Sequence, residues 1–255
     1  MSDSLLITGC KQLVTLRGPA PRRGAALRDL GIIKNGVLLI REGRIAAIGS
    51  EAHVKRAALE LPPKERKRLR ELDAHRAVAL PGFVDSHTHL IFPASRASEY
   101  EQRIAGATYE QIAAAGGGIL STVSKLRKAS PASLKQRALD SLAHMGAHGT
   151  TTVEAKSGYG LDAASELKVL RLHRELAKSQ PLDLVSTFLG AHVPPPEYRD
   201  RPDAYVEFLC RTLLPQVATQ RLADYCDVFC DRGAFTLDQS RRVLTAARAC
   251  GMGLR

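Results

Sequence analysis

The sequence predicts an α/β protein: a (β/α)8 barrel of which about four to five strand–helix units are present, preceded by a small N-terminal β domain. Three observations predict it. From Pro81 onward, short apolar runs alternate with helical stretches, the pattern of a parallel sheet covered by helices. Polar, glycine-bearing segments fall just after those runs, where a (β/α)8 barrel places its active site. Finally, Leu80-Pro81-Gly82-Phe83-Val84-Asp85-Ser86-His87-Thr88-His89 ends an apolar run in two histidines two residues apart. A strand would point both to one face.

Residues 1–78 read as a first domain of short strands and 79–255 as the barrel portion. Leu5–Thr8 and residues 12–16 are candidate strands. Residues 36–49 form a β-hairpin with Gly43 in its turn, and 20–30, rich in Pro, Arg and Gly, form a loop. This β domain is too short to be a sandwich by itself. Pro81-Gly82 then punctuates the chain ahead of a buried-looking strand, 82–90. A helical region follows, interrupted around Ala113–Gly118. Ser130-Pro131 supplies a cap and a first-turn proline for a helix reaching His148. Strands at 150–154, 182–189 and 225–229 alternate with helices at 162–179 and 204–218. Thr236-Leu237-Asp238-Gln239 is a capping-box pattern opening a helix to about Cys250, and Gly253-Leu254-Arg255 begins a fifth strand. Eight units need about 250 residues and roughly 175 follow the first domain, so the expectation is a barrel that stops part-way.

Composition narrows the class. No apolar run is long enough to span a membrane and no secretory signal opens the chain, which predicts no membrane partner. The 5 cysteines are scattered without a Cys-x-x-Cys, which predicts reduced, mostly buried thiols in a cytoplasmic protein. A net charge of +11, densest at Lys64-Glu65-Arg66-Lys67-Arg68-Leu69-Arg70, raises nucleic acid as a partner. Aromatic residues make up only 5% of the chain and none interleaves with that stretch. A solvated loop or short helix without nucleic acid is therefore the expectation.

His87 and His89 are two candidate metal ligands; hydrogen bonding at a strand end is the alternative. A catalytic zinc or iron takes at least three protein ligands and keeps a position open. Of the other histidines, His53 and His75 precede the barrel, and His144, His148 and His173 lie on or beside helices. His192 alone sits just past a strand end. No carboxylate after a late strand is present, so the site is expected to be incomplete.

The stretch Pro81–His89 resembles the metal-binding opening of the amidohydrolase superfamily, whose members pair a (β/α)8 barrel with a small β-sandwich. More narrowly, the chain resembles the imidazolonepropionase family. That likeness rests on Arg96-Ala-Ser-Glu-Tyr-Glu101, Gly106-Ala-Thr-Tyr109, Ala114-Ala-Gly-Gly-Gly-Ile119, Glu154-Ala-Lys-Ser-Gly-Tyr-Gly-Leu161, Thr187-Phe-Leu-Gly-Ala-His192 and Asp227-Val-Phe-Cys230. The resemblance implies a metal-dependent hydrolase barrel carrying the N-terminal portion of the sandwich. It implies one divalent ion, zinc or iron, on His87 and His89, and a substrate held by Arg96, Tyr109, Tyr159 and His192, with His192 also catalytic. The implied reaction is hydrolysis of the cyclic amide of 4-imidazolone-5-propanoate to N-formimidoyl-L-glutamate in histidine degradation, with a possible homodimer in the full-length form. The family's further metal-binding His and Asp on later strands are absent here, so the chain by itself is expected to be inactive. Phe92-Pro93-Ala94-Ser95 departs from the family pattern, and residues 64–70 resemble an insertion. Lys156 is assigned no role beyond pairing with Glu154. Two alternatives stay open: another amidohydrolase, such as a deaminase or a different cyclic-amide hydrolase, and a non-catalytic basic binding protein.

Overall fold

Glu42 (φ +51°) and Gly43 (φ +73°) form the two-residue turn that joins β4 (Val37–Arg41) to β5 (Arg44–Gly49). Positive φ at both central positions matches the right-handed twist of the paired strands, and glycine takes one of them without steric cost. The computed structural model describes residues 4–108, 111, 112, 115 and 117–255. It divides the chain into two units, Met1–Pro81 and Gly82–Arg255.

In the first unit β1 (Leu5–Thr8) pairs antiparallel with β4 and parallel with β6 (Arg70–Asp73), giving a four-stranded sheet in the order β5-β4-β1-β6. A three-stranded sheet is built from β2 (Gln12–Val14), β3 (Ile32–Lys34) and β7 (Val78–Ala79), in the order β3-β2-β7. Leu6, Val37 and Leu39 bury against Val54 and Ala58 of the helix Glu51–Leu59. The segment 20–30, read as a loop, contains one 3-10 turn, Gly24–Arg28. The basic stretch is a short helix, Pro63–Arg66, running into edge strand β6, with most of its side chains exposed. Glu65 interrupts its charge by accepting from Arg41 at 2.9 Å and from Ser4.

The second unit is a parallel five-stranded sheet, β8 (Phe83–Thr88), β9 (Thr150–Lys156), β10 (Asp183–Ala191), β11 (Tyr225–Val228) and β12 (Gly253–Leu254). Neighbours in the sheet are neighbours in sequence. The helices Pro131–Ala147 and Ala163–Ser179 lay Leu134, Ala138, Leu142, Val169, Leu172 and Leu176 on Val153 and Ala155 of β9. A second core gathers Phe188, Tyr205, Leu209, Val217, Cys226 and Val243. Helix starts are capped as their sequences dictate: Ser130 accepts from Ser133 N, Asp162 from Ser165 N, and Thr236 forms its capping box with Gln239. At the other end of the helix Gly118–Lys128, Lys168 Nζ donates to the terminal carbonyls of Leu126 (2.9 Å) and Ala129 (3.1 Å).

Three expectations are corrected. The first strand of the unit is not buried: Phe83 is 56% and Val84 66% exposed, because β8 is the edge of the sheet and has a neighbour on one side only. The helix expected over 204–218 is interrupted. Between Pro202–Phe208 and Leu214–Thr219 lies a π turn, Leu209–Leu213, where Pro215 has no N–H to continue a regular ladder. Of the thiols, Cys10 and Cys226 are buried, whereas Cys230 is exposed.

His173 lies inside the second unit, its Nδ1 3.1 Å from Ser186 Oγ and its Nε2 without a hydrogen-bond partner. Burial first, and the Arg174 charge second, push its pKa from 6.5 down to about 3. Between those values the unfolded chain binds a proton that the folded chain does not. Stability is therefore full above pH 6.5 and falls as the pH drops. At about 1.4 kcal/mol per pKa unit, the loss reaches up to about 5 kcal/mol. Urea unfolding at pH 7.5 and 4.5 is expected to show a smaller acid loss for His173→Leu than for the unaltered chain. Equal losses would place the acid sensitivity elsewhere.

Candidate active site

The candidate site lies where β8, β9 and β10 end, on the sheet face opposite the helices Pro131–Ala147 and Ala163–Ser179. Side chains alternate along β9, so Val153 and Ala155 enter the helix-covered core while Glu154 and Lys156 share the other face. All four are buried. Lys156 Nζ sits 3.0 Å from Glu154 Oε1 and 2.7 Å from Asp227 Oδ2, just after Cys226 on β11. Thr187 of β10 donates to the same Glu154 oxygen at 2.7 Å, and Arg255 approaches Glu154 Oε2 at 3.5 Å. The pairing expected for Lys156 with Glu154 is present, but Asp227 makes the shorter contact. Lys156 thereby ties β9 to β11, and Glu154 ties β9 to β10 through Thr187.

Above this cluster the rings converge. His87 and His89 lie 5.8 Å apart between centroids, and His89 stacks on His192 at 5.0 Å with 9° between planes. Tyr159 is 4.3 Å from His89 and 5.3 Å from His192. Phe92 and Phe229 close the sides, 5.7 Å from Tyr159 and 5.8 Å from His192. The structure therefore brings together four residues that sequence reasoning picked out: His87, His89, Tyr159 and His192. Arg96 stands at the margin, where its guanidinium holds Glu99 at 2.8 and 2.5 Å. Its charge also opposes the rise that burial causes in the Tyr159 pKa. Tyr109 lies outside the described residues.

Hydrogen bonding and burial set the states of His192 and His89. His192 Nδ1 donates to Gly158 O at 2.9 Å, and since a carbonyl can only accept, the proton is on Nδ1 and the Nε2 lone pair is free. Burial lowers the His192 pKa, while the Gly158 bond opposes. His89 is pushed down to about 3, by burial first and then by His192, His87 and Lys156. It is neutral in the physiological range, and its Nδ1 is buried without a hydrogen-bond partner. A buried neutral imidazole with an unsatisfied nitrogen beside a second histidine suits metal ligation. Among the described residues no three His, Cys, Asp or Glu side chains form a group able to hold an ion by themselves.

Sequence reasoning picked out the loop that carries Tyr159 but missed that its backbone meets His192. Gly158 has φ +108°, and a Cβ there would lie 2.6 Å from Leu189 O and 3.1 Å from His192 Nδ1. Only glycine allows His192 to approach this backbone. It also missed Asp227 and Glu166. The apolar–polar alternation around β9 was the available signal for a charged partner facing Lys156.

Solved structures of similar fold include hydrolases and deaminases of low sequence identity. E. coli guanine deaminase superposes with a TM-score of 0.63, is 12% identical, and is matched over 100% of this chain and 53% of its own. A mutant atrazine chlorohydrolase from Arthrobacter aurescens, complexed with zinc and atraton, gives a TM-score of 0.58 at 15% identity, with 98% and 52% covered. The likeness to these structures is one of fold. No protein-family model matches the chain. Curated relatives are much nearer in sequence. The imidazolonepropionase of Symbiobacterium thermophilum is 48% identical over 252 residues, 98% of this chain and 58% of the relative. That of Solibacter usitatus is 48% identical over 256 residues, 100% of this chain and 59% of the relative. By sequence the chain is similar to imidazolonepropionases, and it spans a little under three-fifths of the length of these relatives.

Replacing Lys156 with Met would leave Glu154 and Asp227 without their shared cation. A loss of roughly 3–5 kcal/mol in urea unfolding is expected, the size seen when one partner of a buried pair is removed. Adding Asp227→Asn should recover part of it. A Lys156→Met chain as stable as the unaltered one would show that the ammonium contributes nothing there.

Proposed function

We propose that the chain is the N-terminal part of a metal-dependent imidazolonepropionase, in which a water opens the cyclic amide of 4-imidazolone-5-propanoate to give N-formimidoyl-L-glutamate. The observation that carries the proposal is the convergence of neutral His89, His87, Tyr159 and His192 at the strand ends, in a chain 48% identical to imidazolonepropionases. We propose further that the five strands are the opening of a (β/α)8 barrel. Their order follows the sequence without the reversal that marks a doubly wound sheet, and with right-handed crossovers this places the helices on one side. The exposed Phe83 and Val84 on edge strand β8 support a further strand beside it. The seven strands of the first unit are read as a portion of the family's sandwich.

His87 and His89 would hold a zinc or iron ion together with ligands from the remainder of the family length. When bound, the ion supplies Lewis-acid polarisation of the ring carbonyl and lowers the pKa of a water. The chain's own residues bind and orient. Burial raises the Tyr159 pKa, so its hydroxyl stays protonated at neutral pH and donates to a substrate oxygen. His192 presents its free Nε2 lone pair toward the ring and accepts a substrate N–H, its ring plane fixed by the Gly158 bond. Arg96 offers a planar fork to the propionate carboxylate. Phe92 and Phe229 keep water from the ring faces.

Two tests apply to a protein of family length. His87→Ala is expected to lower bound metal and to reduce turnover of imidazolone propionate to background; unchanged metal content and turnover would exclude the proposed ligand. Tyr159→Phe is expected to raise KM roughly tenfold, the worth of about one hydrogen bond. A superfamily deaminase would instead release ammonia from an aminated ring and leave imidazolone propionate untouched.

A further inference from the structure

Glu166 is 0% exposed, in the first turn of the helix Ala163–Ser179, and none of the roles above uses it. It is not needed as a cap. Asp162 already accepts from Ser165 N at 2.7 Å, and the Glu166 N–H is itself taken by Asp162 O. The carboxylate instead turns back under the preceding loop. Its Oε1 accepts from the amides of Gly158 (3.1 Å), Gly160 (2.7 Å) and Leu161 (3.0 Å), and its Oε2 lies 3.2 Å from Gly158 N. Beside it, Ser157 Oγ accepts from Leu189 N at 3.0 Å. One side chain thus takes three amides of a turn that holds Gly158 at φ +108° and Leu161 at φ +57°. Left-handed backbone at a leucine persists only when its surroundings over-determine it. The opposite side of the turn is closed by Tyr205, whose hydroxyl lies 3.2 Å from Leu161 O and 2.9 Å from Gly190 O.

We infer that Glu166 is a positioning residue for the site: its buried carboxylate holds the turn that presents Tyr159 and supplies the Gly158 carbonyl that orients His192. The inference rests on the proposed reading in which Tyr159 and His192 meet the substrate. The link runs through atoms. Glu166 takes the Gly158 N–H, the Gly158 carbonyl takes His192 Nδ1–H, and His192 Nε2 is thereby left unprotonated. Helix N-terminal amides favour a carboxylate in this first turn, and a buried acceptor shared by three N–H groups is costly to remove.

The test does not depend on turnover, so a failed hydrolase reading leaves it intact. Nitrogen-15 NMR of the 255-residue chain reads the His192 tautomer, and amide exchange reads the turn. Glu166→Ala is expected to shift His192 from the Nδ1–H form toward a mixture and to speed exchange at Gly158, Gly160 and Leu161 at least about tenfold. Exchange at Val169 and Leu170 should change far less. Glu166→Gln, which keeps an acceptor oxygen of the same reach, should retain the tautomer and the protection. If the alanine variant does not fold, Glu166→Asp, with the carboxylate drawn back by one methylene, is read in the same way. An unchanged tautomer, or exchange rising equally in the turn and at Leu170, would overturn the inference.

Discussion

Strand β9 has to satisfy two environments at once, and the second unit is arranged around that constraint. A period of two sends Val153 and Ala155 into the helices and Glu154 and Lys156 to the other face. Neither face is wet, so the apolar pair needs close packing and the charged pair needs partners. Two long helices and a row of leucines meet the first need. The second is met across the sheet, by Thr187 from β10 and Asp227 from β11. A buried ammonium between two carboxylates is stable only while both remain in place, which couples the register of β9 to that of β11. The strand ends that carry His89, Tyr159 and His192 are held by the same ladder.

The site is built from neutral groups kept neutral by desolvation and by a cation. Lys156 lies below His89 and adds its charge to the effect of burial, so the imidazole offers a lone pair rather than a proton. His192 reaches the same state differently: its proton is committed to the Gly158 carbonyl. Both arrangements depend on a loop whose shape is imposed from beneath, by a glutamate the chain places one turn into the next helix.

Much of the fold was legible before any coordinates. The hairpin at 36–49, the helix caps at Ser130 and Thr236, and the strand–helix alternation after Pro81 all follow from turn chemistry, capping and periodicity acting within a few residues. Of the cluster, His87, His89 and His192 were legible from their places at strand ends, which converge in such a sheet, and Tyr159 through the family resemblance. Other features could not be read locally. The exposure of Phe83 and Val84 depends on how many neighbours β8 has, and an apolar run looks the same on an edge strand as in the middle of a sheet.

What the sequence determined by itself was therefore local and periodic: which segments are strands, which are helices, and which histidines stand at strand ends. Tertiary structure alone decided which side chains meet across long separations. Lys156 is 71 residues from Asp227, and Gly158 is 34 from His192. No spacing rule reaches that far. Such pairs are selected by the register of parallel strands and by the requirement that a buried charge or amide find a partner.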